Sequence, residues 1–354
     1  MKVGPTTNAI AVDPTTNKIY VANTGNNTVS VIDGNTNNVT NINVGKAPFA
    51  ISIDEKTKKV YVANRDSNSL SIIDGYSVLN TTQVGKAPID IAVDNITDSN
   101  RSYIYVANAG SQTVSTIDGK TNDVIRTIPL KFSPRSIAMD RQSDMLYINS
   151  LDLTAGGILD GRGKDVPAYP KYVQVGNDPQ HLAVNPSKNK IYVTNTGSNN
   201  VSVIDSKTDK ITKVVPLPFY IDESSTLTVY PEKNMIYVVG SLPNQFSVID
   251  GSKDKIVRRS ENQGQTNNTN SLIGGPTIVA FNPKNHKIPE MYVVNKYSGT
   301  IFFINKTNNF PNGIIAASEV RGSPSDIAFA NNLIYIVNKD YNTITVIKPQ
   351  ISAR

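Results

Sequence analysis

The stretch that decides the fold runs from Phe49 to Pro88 and reads FAISIDEKTKKVYVANRDSNSLSIIDGYSVLNTTQVGKAP. It contains four apolar runs of strand length, bounded by Asp, Asn, Gly, Lys or Pro, which is typical of antiparallel strands joined by turns. The runs are residues 50–54, 60–64, 70–74 and 78–84. A four-stranded sheet with this pattern is apolar on both faces and cannot bury either one alone. The stretch therefore predicts sheets that stack face to face, as in a β-propeller.

The rest of the chain repeats this unit. The copies align on a Tyr of the second strand, which recurs eight times, at Tyr20, Tyr61, Tyr105, Tyr147, Tyr192, Tyr237, Tyr292 and Tyr335. Successive Tyr residues are 41 to 45 positions apart, except for one step of 55, and this is the length of a propeller blade. We predict an all-β fold with one domain over residues 1–354, a closed propeller of eight four-stranded blades, with seven blades as the alternative. The eight Tyr side chains are expected to pack in the core.

The two chain ends are expected to meet. Residues 4–13 align without a gap on residues 45–54, so Lys2 and Val3 correspond to the end of a fourth strand. The last unit supplies three strands, the third of them at residues 344–347. We therefore expect Lys2 and Val3 to pair with that third strand and to close the ring, which removes its exposed edge. Because two residues make a short strand, we also expect further strand residues and a targeting segment to precede Met1.

Three segments depart from the repeat, and we interpret them as insertions in loops. Residues 151–171 replace the third strand and turn of the fourth unit with Gly- and Pro-rich sequence. Residues 216–225 lengthen the crossing between the fifth and sixth units. Residues 258–276 are polar, Asn-rich and without strand character, which predicts a long loop.

Composition excludes several kinds of chemistry. The 354 residues include no Cys, no Trp and two His, so disulfides, thiolate nucleophiles and cysteine-ligated metals are excluded. We predict no cofactor. The net charge is +6, but Lys and Arg alternate with Asp and Glu in the turns, which indicates a solvated surface and no nucleic-acid partner. No apolar run reaches the roughly 18 residues of a membrane-spanning helix.

The candidate ligand-binding residues lie on one predicted face. In an antiparallel unit the loops from the second to the third strand and from the fourth strand to the next unit emerge on the same side. This side is predicted to be a basic funnel, rich in Asn at Asn23, Asn108 and Asn195, that attracts anionic or polyhydroxylated ligands. Ordinary polar loops are the alternative. The predicted binding residues are Lys46, Arg65, Lys86, Asp90, Arg135, His181, Lys296, Arg321, Asp326 and Lys339.

Three of these residues are candidates for a metal site or a catalytic site. Asp90, His181 and Asp326 fall just before the predicted innermost strand of their units, where a metal or hydrolytic site needs convergent carboxylates or imidazoles. The alternative is a loop histidine and two solvated aspartates, and no metal or catalytic residue is assigned. Asp residues that end third strands, such as Asp33, suggest calcium, but capping of their own turn explains them as well.

The repeat resembles a known family. The tetrapeptide YVAN at residues 20–23, 61–64 and 105–108, YVTN at 192–195 and the linker VGKAP at 44–48 and 84–88 resemble YVTN-type β-propeller repeats. Such repeats occur in archaeal surface-layer proteins and related prokaryotic surface proteins. The resemblance implies a propeller, an extracytoplasmic or cell-surface location and a non-catalytic scaffold that binds protein, glycan or anionic ligands. A lactonase-like or lyase-like propeller enzyme with an axial site is the alternative function.

Overall fold

The structure of the protein is a computed structural model, which describes residues 1–94, 102–140, 142–150, 155–160, 171–222, 225–240, 245–259, 276–281, 291–295, 299–304, 314–320, 322, 324–330 and 333–348. These residues form eight antiparallel sheets. The first seven sheets have four strands each, hydrogen-bonded in chain order, and the eighth has three. The chain is all-β, as predicted.

The first four sheets contain strands β1 to β16. They are β1 Thr7–Asp13, β2 Lys18–Asn23, β3 Thr28–Asp33 and β4 Val39–Asn43; β5 Pro48–Ile53, β6 Val60–Asn64, β7 Ser69–Asp74 and β8 Ser77–Gln83; β9 Pro88–Asp94, β10 Tyr103–Asn108, β11 Thr113–Asp118 and β12 Val124–Pro129; β13 Pro134–Asp140, β14 Met145–Ser150, β15 Ala155–Asp160 and β16 Lys171–Gln174.

The last four sheets contain strands β17 to β31. They are β17 Pro179–Asn185, β18 Lys190–Asn195, β19 Asn200–Asp205 and β20 Lys210–Pro216; β21 Thr226–Tyr230, β22 Met235–Val239, β23 Phe246–Asp250 and β24 Lys255–Arg259; β25 Pro276–Phe281, β26 Met291–Asn295, β27 Thr300–Ile304 and β28 Ile314–Glu319; β29 Pro324–Ala330, β30 Leu333–Asn338 and β31 Thr343–Ile347. Among the described residues, four single 3₁₀ turns occupy loops, at Arg65–Ser67, Ala109–Ser111, Pro186–Lys188 and Pro231–Lys233.

The repeated Tyr lies in the second strand of every sheet, and all eight copies are buried. Tyr61 in β6 pairs with Ser52 of β5 and Ile72 of β7, so it occupies the middle of its sheet. Its side chain packs in a cluster that includes Ile91 and Ile104 of the third sheet. The core therefore lies between sheets, because each sheet buries its apolar face against the next one.

The fourth strands are more exposed than their apolar residues suggest. In β8 the exposed fractions of Val78 and Leu79 are 37% and 52%, whereas β6 in the same sheet is buried throughout. The first strands pack beside one another from sheet to sheet, and this places the fourth strands at the periphery. An exposed apolar side chain there is tolerated because the neighbouring sheets diverge away from the centre.

The first and last sheets are neighbours. Strand β1 packs beside β5 of the second sheet and also beside β29 of the eighth. Lys2 pairs antiparallel with Thr343 of β31. Met1 and Ile344 exchange two backbone hydrogen bonds, from the Met1 amino group to the Ile344 carbonyl at 2.7 Å and from the Ile344 amide to the Met1 carbonyl at 2.8 Å. The expected contact of the N-terminal residues with the third strand of the last unit is thus present.

One prediction about the irregular segments was wrong. Residues 155–160 of the fourth sheet form a regular third strand, with Ile158 opposite Tyr147, because ladder hydrogen bonds need only the backbone. In the crossing after β20, Leu217, Phe219 and Ile221 are buried in the cluster between the fifth and sixth sheets. The crossing between β20 and β21 is longer than that between β4 and β5, as predicted, and the part around Phe219 belongs to the core, although Tyr220 is 63% exposed.

Candidate binding face

The loop face is the side that carries the loops from second to third strands and the crossings between sheets. Within one sheet these two kinds of loop bind each other through the backbone. The Arg65 amide donates to the Ala47 carbonyl at 2.9 Å, and the Asp66 amide donates to the Lys46 carbonyl at 3.1 Å. The third sheet repeats the pair, with Ala109 to Ala87 at 3.0 Å and Gly110 to Lys86 at 2.9 Å. The shared face predicted for these loops is therefore present.

A second clamp joins the crossings before the second and third sheets to the preceding sheet. The Ala47 amide donates to Oδ1 of Asn27 at 2.9 Å, and the Ala87 amide donates to Oδ1 of Asn68 at the same distance. Both alanines adopt left-handed backbone conformations, with φ of 52° and 49°. A non-glycine residue pays for that conformation with about 1 kcal/mol or more, which the clamps on both sides offset.

The recurrent Asn of the YVAN tetrapeptide does not line the face, and this prediction was wrong for Asn23, Asn108 and Asn195, whose side chains are fully buried. In the second sheet, Nδ2 of the equivalent Asn64 donates to Oγ of Ser69 at 3.2 Å and to Oγ of Ser71 at 2.9 Å. The hydroxyl or amide partners lie five and seven positions after the Asn in five sheets. That spacing is visible in the sequence and is the signal that identifies the Asn as structural.

The glycine of the VGKAP linker is required by this buried Asn and by a nearby Ser hydroxyl, that of Ser67 for Gly45 and that of Ser111 for Gly85. A Cβ added to Gly45 would lie 2.7 Å from Cγ of Asn64, and one added to Gly85 would lie 2.7 Å from Cγ of Asn108. Both distances are shorter than any ordinary contact between carbon atoms. The linker backbone therefore lies too close to the buried amide for a residue with a Cβ atom to fit without a shift.

The predicted cations differ in their surroundings. Lys46, Lys86 and Lys339 are exposed. Arg65 lies over the Phe49 ring, with 5.3 Å from the guanidinium carbon to the ring centroid, and its Nε forms an ion pair of 2.9 Å with Asp66. Arg135 is half-buried at the start of β13. Lys296 and Arg321 lie outside the described residues.

Asp90 connects two sheets at the innermost strand. Its Oδ1 accepts a hydrogen bond from the Ile91 amide at 2.9 Å, and its Oδ2 accepts one from the Ile137 amide of the fourth sheet at 2.9 Å. Desolvation by the surrounding protein raises the pKa of Asp90 from 3.8 to about 6, although these two hydrogen bonds act to lower it. The carboxyl group therefore acts first as a structural bridge.

Asp326 makes the same bridge between the eighth and first sheets. Its two oxygens accept hydrogen bonds from the Ile327 amide at 2.8 Å and from the Ile10 amide at 3.0 Å. Desolvation again raises the pKa to about 6. The backbone of His181, in the fifth sheet, donates its amide to Oγ1 of Thr194 at 3.1 Å.

The structure does not bring these three axial residues together. In the part of the chain that the structure describes, no group of three or more His, Cys, Asp or Glu residues is positioned to share a metal ion. The hypothesis of a site formed by Asp90, His181 and Asp326 therefore gains no support from geometry. Their repeated register position was readable from the sequence, but one of the two amides that bind each carboxylate, that of Ile137 or Ile10, belongs to a distant part of the chain.

The Asp residues that end third strands cap their own turns. Oδ1 of Asp33 accepts the amides of Asn35 and Thr36 at 2.8 and 3.1 Å. Asp205 and Asp250 make similar hydrogen bonds, and the pKa of each of the three is lowered chiefly by hydrogen bonds from its own turn. Turn capping accounts for this recurrence, as the turn alternative predicted.

Comparison with known proteins shows the fold of the chain but does not show its family. The chain is similar to dihydro-heme d1 dehydrogenase NirN in complex with DHE (TM-score 0.75, 14% identity, 99% of this chain and 75% of that one). It is also similar to BamB from Moraxella catarrhalis (TM-score 0.64, 13% identity, 98% and 95%). A third similar structure is Kuenenia stuttgartiensis hydrazine synthase (TM-score 0.61, 17% identity, 86% and 96%). NirN and BamB are β-propellers, so the fold is that of a β-propeller.

Sequence similarity to curated proteins is confined to about a third of the chain. Antigen Lp49 of Leptospira interrogans (serogroup Icterohaemorrhagiae serovar copenhageni, strain Fiocruz L1-130) is 27% identical over 124 residues, 34% of this chain and 27% of that protein. Uncharacterized protein YwhL of Bacillus subtilis (strain 168) is 25% identical over 122 residues, 34% of this chain and 26% of that protein. The matched segments span about a quarter of each relative. No family model matches the chain. Among the described residues, no helix is long and apolar enough to cross a bilayer.

Proposed function

We propose that this chain is a single closed propeller of eight YVTN-type blades that serves as a non-catalytic binding scaffold at the cell surface or elsewhere outside the cytoplasm. The backbone pairing of Met1 and Lys2 with β31 supports closure, because residues from the other end of the chain then pair with the edge strand of the eighth sheet. The packing of β1 against both β5 and β29 supports a ring of eight.

The observation that carries the binding function is the fixed loop face. Crossing loops around Lys46 and Lys86 are held by backbone hydrogen bonds within their own sheet and by an Asn side chain of the preceding sheet, yet both Lys side chains are exposed. Loops held rigidly on a scaffold with exposed charged side chains are suited to recognition, because little conformational entropy is lost when a ligand binds.

The proposed location is supported by similarity. The relative from Leptospira is named an antigen, which agrees with a surface protein, and the YVTN-like tetrapeptides suggest the same setting. The ligand class is an acidic or hydroxyl-rich surface component, since the described cations Lys46, Lys86 and Lys339 are exposed on one face.

The test is binding of the purified chain to isolated cell envelopes. We expect binding that weakens with rising ionic strength, because exposed charges are screened. Lys46→Glu with Lys86→Glu should weaken it, whereas Lys120→Glu with Lys188→Glu, exposed lysines in turns on the opposite face, should not. Equal loss in both double variants, or no envelope binding by the wild type, would overturn the proposal.

A further inference from the structure

The loop face is not uniformly charged. Sheets two, three and four place five cations on it, whereas their described loops contain one acidic residue, Asp66, which is paired with Arg65. We define this set as the basic sector, consisting of Lys46, Arg65, Lys86, Lys131 and Arg135.

The neighbouring parts of the face are neutral or acidic. The described loops of the first sheet, residues 4–6 and 24–27, contain no charged residue. Those of the fifth and sixth sheets contribute Asp178 and Asp222 and no cation. A ligand with negative groups is therefore attracted to one side of the face and repelled from the other, and this difference orients it.

The basic sector is ordered before any ligand arrives. The Lys46 amide donates to Oγ of Ser67 at 2.9 Å, and the Lys86 amide donates to Oγ of Ser111 at 3.0 Å. The Lys131 amide donates to the hydroxyl of Tyr172 at 3.0 Å, and its ammonium group lies 5.3 Å from the centre of the same ring. Three consecutive crossings thus hold their cations on fixed backbone.

Apolar side chains adjoin these cations. Phe49 and Ile89 occupy the same position, directly after the linker Pro, at the start of β5 and β9, and both are half-buried. One face of the Phe49 ring is covered by the Arg65 guanidinium, so that face is not open for stacking on a sugar ring. Cations beside partly exposed apolar groups fit a ligand that carries acidic and apolar side chains together.

We propose that the basic sector binds an acidic segment of a polypeptide that also carries apolar side chains, and that Lys46 and Lys86 contact its carboxylates while Phe49 and Ile89 contact its apolar groups. This inference rests on the proposed function and narrows its ligand to a protein. An anionic polysaccharide matches the positive charge of the basic sector but has no apolar side chain that contacts Ile89.

The test uses four fluorescent probes and anisotropy titrations of the full chain at low ionic strength. The probes are a flexible peptide of Glu, Leu, Gly and Ser, the same peptide with Leu replaced by Ser, the same peptide with Glu replaced by Gln, and polygalacturonate. We expect the first peptide to bind most tightly and both replacements to weaken binding about tenfold or more, because charge and apolar contact each contribute.

The matched variants locate the site. Lys46→Glu with Lys86→Glu should weaken binding of the first peptide about tenfold or more by placing like charges opposite its carboxylates, and Phe49→Ser should weaken it severalfold. Lys120→Glu with Lys188→Glu should leave it unchanged. Circular dichroism and thermal midpoints of the variants show whether they fold like the wild type.

Two outcomes would overturn the inference. One is equal binding of the Leu-containing and Ser-containing peptides, and the other is tighter binding of polygalacturonate than of the first peptide. Either outcome combined with envelope binding that still depends on Lys46 and Lys86 leaves the scaffold function intact. Envelope binding that is unchanged when Lys46 and Lys86 are replaced counts against the scaffold function itself.

Discussion

The Thr6 amide donates a hydrogen bond of 2.9 Å to Oδ1 of Asn342, although 336 positions separate the two residues in the chain. The same contact joins Ala47 to Asn27 and Ala87 to Asn68, also at 2.9 Å. The junction between the eighth and first sheets is thus built like the junctions inside the chain. Bringing together residues so distant in sequence costs loop-closure entropy. The contacts within and between the sheets offset this cost only when the whole fold forms.

A disulfide across this junction should form readily. Lys2 and Thr343 are directly opposed, between the pair Met1 and Ile344 and the hydrogen bond from the Val3 amide to the Asn342 carbonyl. Opposed residues of that kind have Cα atoms about 4.5 Å apart, within the range of disulfides. Lys2→Cys with Thr343→Cys should cross-link under mild oxidation, and the oxidised variant should be about 2–4 kcal/mol more stable than the reduced one, which lacks the hydrogen bond from Asn338 to Oγ1 of Thr343. Thiol titration and chemical denaturation measure both effects.

The chain has no other cysteine, so the assay has no background from native thiols. Lys2→Cys with Thr40→Cys is the control, because Thr40 is exposed on β4 of the first sheet, away from β31. Two freely reactive thiols in the first pair under oxidising conditions would show that the junction is open in solution.

Truncation of a repeated Tyr should be severe. Tyr61 is fully buried between the second and third sheets, so Tyr61→Ala leaves a large cavity and should lower the free energy of unfolding by roughly 3 kcal/mol or more. Tyr76→Ala, at a Tyr that is 41% exposed, should cost less than about 1 kcal/mol. Urea denaturation compares the two, and similar losses would contradict the packing described for Tyr61.

The linker glycine and the buried Asn should be energetically coupled. Gly45→Ala places a methyl group against Cγ of Asn64 and should destabilise the fold by about 1–3 kcal/mol. Asn64→Ala loses the hydrogen bonds to Ser69 and Ser71 and should cost about 1–3 kcal/mol. In a double-mutant cycle the combined loss should be smaller than the sum, since Asn64→Ala removes one of the two side chains that the new methyl group meets, the other being Ser67. Simple additivity would show that the contact relaxes without cost.

The two inner carboxyl groups predict how stability depends on pH. The pKa of Asp90 and that of Asp326 are raised to about 6 in the folded protein from an ordinary value of 3.8, so the folded state binds their protons more tightly than the unfolded state. Their contribution to the free energy of unfolding is complete below about pH 4 and is lost as the pH rises to about 6. Replacing both residues by Asn should flatten this decline, whatever the absolute stability of the variant.

Denaturation curves between about pH 4.5 and 7 test the slope, and Asp66→Asn, at an exposed residue of the loop face, is the control. The pH range ends above the pH at which Asp13 titrates, so that this residue does not affect the slope. Burial alone would raise the pKa of Asp13, but hydrogen bonds from Thr15 and Thr16 and the nearby Lys58 lower it to about 2. The stabilisation due to Asp13 is present above about pH 4 and lost as the pH falls toward 2, which is the opposite sign. An unchanged slope in the double Asn variant would contradict the raised pKa values.

The sequence predicts the architecture because its repeat is locally consistent. Tyr61 recurs with the same neighbours, and the register that it implies is the one observed, including the shared position of Asp90 and Asp326. The functional part was less predictable. Asn is common in loops, which predicts a surface position for Asn23, whereas its Nδ2 donates to Ser30, seven positions later, in the interior.

The remaining differences come from contacts between distant parts of the chain. Asp90 accepts a hydrogen bond from the Ile137 amide of another sheet, and no local sequence pattern predicts that partner. Phe219 looks like part of an insertion, yet it fills a space between two sheets whose size depends on their packing. Glycine has a low strand propensity, so the sequence predicts no third strand at residues 155–160, whereas the strands paired on both sides decide the conformation there.

The double clamping of the crossings has a kinetic consequence. Loops that are fixed beforehand need no rearrangement when a partner docks, so association should follow a single exponential whose rate rises linearly with partner concentration. The exposed ammonium groups of Lys46 and Lys86 should speed the encounter with a negatively charged partner at low ionic strength. Substitutions at Phe49 should shorten the lifetime of the complex and leave the rate of encounter nearly unchanged.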